Sequence, residues 1–271
     1  MTGAVWPALL MSSLAGLATS IGGFIGVFGK KNNEKFLSAA LGFSAGVMLL
    51  ISFGELLPDA KNNLLPALGT TKGGLAAAIG LVGGAAAAML IGLAVPDSVA
   101  PPISASARGN KPGRSVSAAA DRLARVGLVT ALAVTVHNLP EGIATFMAGY
   151  ADIRLGLPVA ISIALHNIPE GIAVAVPVYY GSGSRAKGVI YSVLSGLSEP
   201  LGALLAFLVL APFMNAVTLG IIFAAVSGIM IFISFDGLIP SSQVYGHTGC
   251  ALGGVAAGII FMKLAMVLFG L

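Results

Sequence analysis

The hexapeptide HNLPEG at residues 137–142 returns 29 residues later as HNIPEG at 166–171. Each copy puts a histidine, a proline and a glutamate into an otherwise apolar stretch, VTV…IATF around the first and IAL…IAVA around the second. Such residues are expensive in an apolar setting unless they work together. How the two copies are oriented relative to each other decides what the chain builds.

Only 9% of the 271 residues are charged and 57% are hydrophobic, whereas soluble domains carry roughly 25% charged residues. This is a membrane composition. The 37 glycines fit helices that approach closely in lipid. A single cysteine, Cys250, excludes an intrachain disulfide framework and a zinc-finger-type cluster. Residues 1–28 lack a basic n-region and a small-residue cleavage site, so they read as a retained first span rather than a signal peptide.

A membrane-crossing helix needs about 20 mostly apolar residues. Eight stretches qualify: 7–28, 36–57, 74–95, 126–149, 157–180, 189–211, 216–238 and 249–270. The expected fold is therefore all-α and polytopic, one integral membrane domain over residues 1–271. Between the spans lie KKNNEK (30–35), PDAKNN (58–63), the stretch 96–125, ADIR (151–154), GSGSRAKG (181–188), APFMNA (211–216) and PSSQVYGHTG (240–249). Lys30, Lys31, Lys35, Arg108, Lys111, Arg114, Arg122, Arg125, Arg185 and Lys187 all fall on one side of the membrane. Lys61, Lys72 and Arg154 fall on the other, and Lys263 lies inside the last span. Basic residues stay cytoplasmic, which places both termini outside the cytoplasm. The segment 96–125, rich in Pro, Ser, Ala and Arg, is expected to be a flexible cytoplasmic loop. Its charges serve topology and anionic headgroups, and no nucleic-acid partner is expected.

VTVHNLPEGIATF (134–146) and IALHNIPEGIAVA (163–175) share seven of thirteen residues, and GVMLLISFGELLP (46–58) shares seven of thirteen with GIMIFISFDGLIP (228–240). GLATSIGG (16–23) and GLSEPLGA (196–203) share three of eight. Spans 2 and 4 run outward while spans 7 and 5 run inward. Spans 1–3 and 6–8 are thus expected to be inverted repeats around an inverted central pair, an architecture of secondary transporters.

On a helix His137 and Glu141 share a face, with Asn138 beside it; His166, Glu170 and Asn167 do the same. Pro140 cannot donate to the carbonyl of Val136, nor Pro169 to that of Leu165. Two opposed helices presenting imidazole, amide and carboxylate can converge on a divalent transition metal, and two glutamates can bridge a pair of ions. A lone buried histidine is more often a hydrogen-bonded core residue, and a Pro-Glu pair can be a kink and a cap. The matched duplication argues against both readings.

Glu199, in SGLSEPLG of span 6, is a further ligand or proton acceptor, or else a paired structural carboxylate. Met48 in span 2 reads by spacing alone as packing. Glu55 and Asp59, near the outer end of span 2, are an acidic vestibule that concentrates cations or ordinary interfacial residues. Asp236, near the inner end of span 7, is a candidate for the exit route. His247 reads as a solvated loop residue.

At these residues the chain resembles the ZIP family, the Zrt/Irt-like divalent metal transporters, and within it the bacterial ZupT-type branch. The likeness spans the whole chain: eight spans, outside termini, paired HNxPEG motifs in spans 4 and 5, and SGLSEPLG in span 6. It implies a multi-pass protein of a bacterial inner membrane that takes up Zn²⁺, Fe²⁺, Mn²⁺, Co²⁺ or Cd²⁺ as substrate, with no cofactor. It implies a binuclear centre. His137, Glu141, His166 and Glu170, with Met48 nearby, would hold one ion. Asn138, Glu141, Asn167, Glu170 and Glu199 would hold the other. It also implies that spans 1, 4, 5 and 6 move against spans 2, 3, 7 and 8. The 96–125 stretch departs from many relatives in having no histidine. The reading leaves room for a homodimer, with metal ions and the lipid bilayer as partners.

Two rivals come from other classes. An intramembrane metal-dependent hydrolase needs an activated water and a base, but the HExxH pattern is missing. A proton-coupled carrier of an organic solute would use the carboxylates as a relay. A phosphate-binding G-x-x-x-x-G-K-[ST] loop is absent.

Overall fold

The computed structural model describes residues 5–28, 33–94, 114–210, 213, 215–244 and 246–269. Among them every regular element is helical, and eight helices are long and apolar enough to cross a membrane. We label the spans α1 (Val5–Val27), α2 (Glu34–Ile51, continued to Leu68), α3 (Thr70–Ala94) and α4 (Arg114–Ala151). There follow α5 (Ile153–Ser182), α6 (Arg185–Gly196, continued to Leu210), α7 (Ala216–Phe232, continued to Ser242) and α8 (Thr248–Phe269).

Asparagine, aspartate and serine caps start four of these helices. Asn33 accepts from the Phe36 N–H, Asp152 from Arg154, Ser184 from Lys187, and Asn215 from Val217 and Thr218. Gly183, at φ 72°, ends α5 in the left-handed region that glycine adopts without strain.

Two expected breaks are absent. PDAKNN (58–63) and the start of PSSQ (240–243) continue their helices, and the reason lies one turn upstream. Residues Ser52–Leu56 and Ile233–Leu238 are π-helical, with the Leu57 N–H reaching back to Ser52 and Ile239 to Ser234. A π turn already shifts the hydrogen-bond register, so Pro58 and Pro240 follow it without ending the helix. The helix of α2 stops only at Gly69, φ 80°.

The 96–125 stretch also differs from its expectation. Residues 95–113 lie outside the described ones, but Arg114 to Arg125 form the first turns of α4. The run SVSAAADRLAR is rich in alanine and other helix formers, which outweighs its lack of an apolar stripe.

Packing separates the spans into two sets. In one, α5 lies against α1 and α4, and α6 packs on α1, α4 and α5; in the other, α2 packs on α8, and α3 on α7. Contact between the sets runs mainly through α2 and α5. Glycines make the seams, and they do so in matched pairs. A methyl group at Gly142 would strike the Glu199 carbonyl, and one at Gly171 the Thr19 carbonyl. Gly202 abuts the Leu139 carbonyl and Gly22 that of Ile168; Gly16 and Gly196 abut each other's. In the second set Gly46 meets the Val255 carbonyl and Gly228 that of Leu81, while Gly258 meets Phe43 and Gly84 meets Ala225. Each contact reappears at the position equivalent by repeat, so the inverted symmetry extends to backbone contact. It includes the short GLATSIGG/GLSEPLGA match, which brings Thr19 and Glu199 into equivalent places.

Candidate metal centre

Pro140 and Pro169 lie inside continuous helices, and the side chains around them converge where α4 crosses α5. The pairing is crosswise. His137 Nε2 of α4 lies 3.0 Å from Glu170 Oε1 of α5, and His166 Nε2 of α5 lies 3.4 Å from Glu141 Oε2 of α4. Each hexapeptide therefore completes the other rather than itself, as an inverted pair requires. All four side chains are buried. Ligand atoms of His137, Glu141 and Glu170 fall within 4.8 Å of one another, a grouping one cation can span.

The amides extend the cluster. With its nitrogen turned inward, the Asn138 amide donates to His137 Nε2 at 3.0 Å, to the Val134 carbonyl at 3.0 Å and to Glu170 Oε2 at 3.2 Å. Asn167 Nδ2 donates to the Ala15 carbonyl at 2.8 Å and to Glu199 Oε1. Glu199, fully buried, is further fixed through its backbone, whose carbonyl accepts from Ser12 Oγ at 3.1 Å. Thus α1 and α6 enclose the cluster at the two symmetry-related glycines.

These contacts do not exhaust the polar groups. Among the described residues, His137 Nδ1, Glu141 Oε1, His166 Nδ1, Asn167 Oδ1 and Glu199 Oε2 are buried without a hydrogen-bond partner. Buried polar atoms are normally satisfied, and this set is one of imidazole nitrogens and acceptor oxygens. Two imidazoles, two amides and three carboxylates form a donor set suited to a divalent transition ion.

Met48 is fully buried in α2. One turn before it, Ser44 Oγ donates to the Pro169 carbonyl at 2.8 Å, which turns this face of α2 toward Pro169 and Glu170. Glu55 lies in the π segment of α2 and Asp59 one turn beyond. Both line a cavity of about 420 Å³ whose other walls include Glu141, His166, Leu219 and Phe223. Glu55 Oε1 accepts from Ser162 Oγ at 3.0 Å, while its Oε2 is buried without a partner. Ser162 escaped the sequence reading, although it lies one turn before His166 on the same face of α5. Asp236 is placed elsewhere. It is exposed, and the cavity it lines contains Arg122 and Arg125 rather than the cluster. His247 is not a bare loop residue: its Nε2 lies 3.4 Å from Glu34 Oε2.

Residues 100–271 match the family model described as ZIP zinc transporter. The chain is 46% identical over 258 residues to the zinc transporter ZupT of Akkermansia muciniphila, covering 95% of this chain and 96% of that one. It is 47% identical over 271 residues to the zinc transporter ZupT of Lysinibacillus sphaericus, covering 99% of each. It is 46% identical over 259 residues to that of Corynebacterium glutamicum, covering 96% and 97%. A polytopic helical protein with inverted repeats around a buried polar centre is the class these features define. The chain belongs to the ZIP zinc transporter family, a family of transporters rather than enzymes, which sets aside the hydrolase.

Proposed function

We propose that the chain takes up divalent transition-metal ions, Zn²⁺ foremost, from outside the cell into the cytoplasm across a bacterial inner membrane. Fe²⁺, Mn²⁺, Co²⁺ and Cd²⁺ are further candidate substrates, since imidazole and carboxylate together accept both softer and harder divalent ions. One observation carries the reading: unpartnered buried ligand atoms of His137, Glu141 and His166 sit where Glu141 and His166 wall the inner end of a cavity edged by Glu55 and Asp59. A cation drawn to the two outer carboxylates has a continuous route to the cluster.

In this proposal His137, Glu141, His166 and Glu170 hold one ion, with the Met48 thioether beside them. Asn138, Asn167 and Glu199 hold a second, which Glu141 and Glu170 share. All these residues come from one chain, so the centre needs no second copy. Binding breaks the His137–Glu170 and His166–Glu141 contacts, and the liberated groups become ligands. An inside-negative potential favours inward movement by about 2.3 kcal/mol per charge per 100 mV, roughly twice that for an uncompensated divalent ion. The set α1, α4, α5 and α6 moves with the ion while α2, α3, α7 and α8 provide the frame. Both termini lie outside the cytoplasm, and the basic stretch around Arg108 and Lys111 lies within it.

The test is metal accumulation by the purified protein in liposomes. Zn²⁺ should accumulate and be competed by the other divalent ions, and Glu141→Ala should cut uptake by about 100-fold or more, since loss of even an outer partner of a metal ligand costs roughly 10–100-fold. Unchanged uptake in Glu141→Ala would remove the centre from the mechanism.

A further inference from the structure

Thr19 of α1 and Glu199 of α6 occupy equivalent places in the repeats, and their backbones are held alike. A methyl group at Gly171 would strike the Thr19 carbonyl, as one at Gly142 would strike that of Glu199. Ser192 Oγ donates to the Thr19 carbonyl at 2.6 Å, and Ser12 Oγ, its mate by repeat, donates to the Glu199 carbonyl at 3.1 Å. A Cβ built at Gly196 would lie 3.2 Å from the Thr19 Cβ, and one at Gly16 would lie 3.2 Å from the Glu199 Cβ. The two side chains therefore leave their backbones in matching directions. Glu199 runs to Asn167 of α5, and the same relation aims Thr19 at Asn138 of α4.

Length and charge differ. The Thr19 hydroxyl oxygen is a γ atom, whereas the carboxylate oxygens of Glu199 are ε atoms, and it is neutral. Asn138 accordingly meets no carboxylate from α1, and its nitrogen donates to the Val134 carbonyl, His137 Nε2 and Glu170 Oε2.

The hydroxyl is also left over. A threonine inside a helix commonly donates to the carbonyl one turn back, as Thr135 does to Ala131 and Thr145 to Glu141. The carbonyl one turn before Thr19, that of Ala15, accepts instead from Asn167 Nδ2 at 2.8 Å. Thr19 is fully buried, and its Oγ1 has no hydrogen-bond partner among the described residues. Buried hydroxyls are normally satisfied, and a polar group brought in with the cargo would satisfy this one.

The second ion of the proposed centre is offered one oxygen each by Asn138, Asn167, Glu199, Glu141 and Glu170. An all-oxygen octahedron suits Mn²⁺, whereas Zn²⁺ is content with four ligands. We propose that Thr19 is a specificity-determining residue for this second ion: its hydroxyl holds a water on the ion, across from Glu199, and that water supplies the sixth oxygen of a Mn²⁺ site. The proposal rests on the two-ion reading above. A water spans the distance by which threonine falls short of glutamate. Because the hydroxyl is neutral, it also holds the ion more loosely than a second carboxylate would, as release of a cargo requires.

Metal binding by the purified full chain tests this. Thr19→Val keeps the shape of the side chain and removes the hydroxyl, while Thr19→Ser keeps the hydroxyl. Mn²⁺ is titrated by its electron paramagnetic resonance signal and Zn²⁺ by calorimetry. In Thr19→Val the Kd for Mn²⁺ should rise about tenfold or more, the loss typical of an outer partner at a metal site, and that for Zn²⁺ less than twofold. Thr19→Ser should stay within about threefold of the unsubstituted chain for both ions. In liposomes, Thr19→Val should make Mn²⁺ a correspondingly poorer competitor of Zn²⁺ uptake. Equal weakening of both ions in Thr19→Val would make Thr19 a packing residue and overturn the proposal, as would an unchanged affinity for Mn²⁺. Thr19→Ala against Thr19→Ser repeats the contrast with smaller side chains, and equal Mn²⁺ affinities in that pair would overturn it too. An unsubstituted chain that binds Zn²⁺ but no Mn²⁺ would defeat this proposal alone; one that binds neither would defeat the two-ion centre as well.

Discussion

At the scale of single residues, the central pair works by exchange. His137 is served by Glu170 and His166 by Glu141, so neither hexapeptide is a site alone. The sequence shows this composition directly, because the types and spacings that make the cluster are local. It shows much less of Glu55. The carboxylate enters the cavity only because a π turn rotates it there and Ser162 holds one oxygen. In the proposed route Glu55 guides the ion without holding it at the centre. Glu55→Gln should therefore raise the KM for Zn²⁺ several-fold at low ionic strength, with maximal uptake changed less than twofold. The difference should shrink in high salt, as steering by partly exposed charge does. An equal fall in maximal rate at all salt concentrations would instead make Glu55 a ligand. The glycines of HNLPEG and HNIPEG carry a different lesson. They sit inside a metal motif, yet Gly142 and Gly171 exist to admit the Glu199 and Thr19 backbones. No local pattern distinguishes those roles.

At the scale of elements, the eight spans and their inverted order were legible because apolar length, basic-residue bias and paired repeats are one-dimensional signals. Two features were not. The π segments let Pro58 and Pro240 stay within helices, and hydrogen-bond register leaves no trace in hydropathy. The close seams were hidden too, since 37 glycines do not announce which face a partner. The structure separates neighbours sharply: a Cβ at Gly84 meets the Ala225 carbonyl, whereas one at Gly83 meets nothing within 4 Å. Gly84→Ala should therefore push α3 off α7 and destabilise the protein by about 1–3 kcal/mol, as overpacking does. Gly83→Ala should be neutral or stabilise by about 0.5–1 kcal/mol, because alanine is the better helix former. Thermal unfolding in one detergent, followed by loss of the monodisperse peak, checks the pair. Similar melting of the two variants would mean that the α3–α7 seam is looser than this packing.

At the scale of the whole molecule, the symmetry is broken in one respect, and that respect bears on transport. The cavity beside Glu141 and His166 is lined by Ile51, Leu56, Ile163, Leu219 and Phe223. Ile51, Leu56 and Ile163 are buried, as are their equivalents in the opposite repeats, Ile233, Leu238 and Val134; Leu219 and Phe223 are half-buried, whereas their equivalents, Leu37 and Leu41, are fully buried. The route is open beside Leu219 and Phe223, and at the mirror positions the packed Leu37 and Leu41, with Leu238, form a plug. A symmetric pair of repeats can exchange these two packings with little net cost, which is how inverted repeats support alternating access. The plug should therefore be closed at rest and should open during turnover. In a Cys250→Ser background, Leu219→Cys should react with a membrane-impermeant maleimide without metal, and Zn²⁺ should slow that reaction. Leu238→Cys should resist a permeant maleimide at rest and become reactive, by tenfold or more, when Zn²⁺ is supplied on the Glu55 side under an inward potential. Equal reactivity of Leu238→Cys with and without Zn²⁺ would show that the plug does not respond to the cargo, and a single fixed pore would then describe the protein better than two exchanged packings.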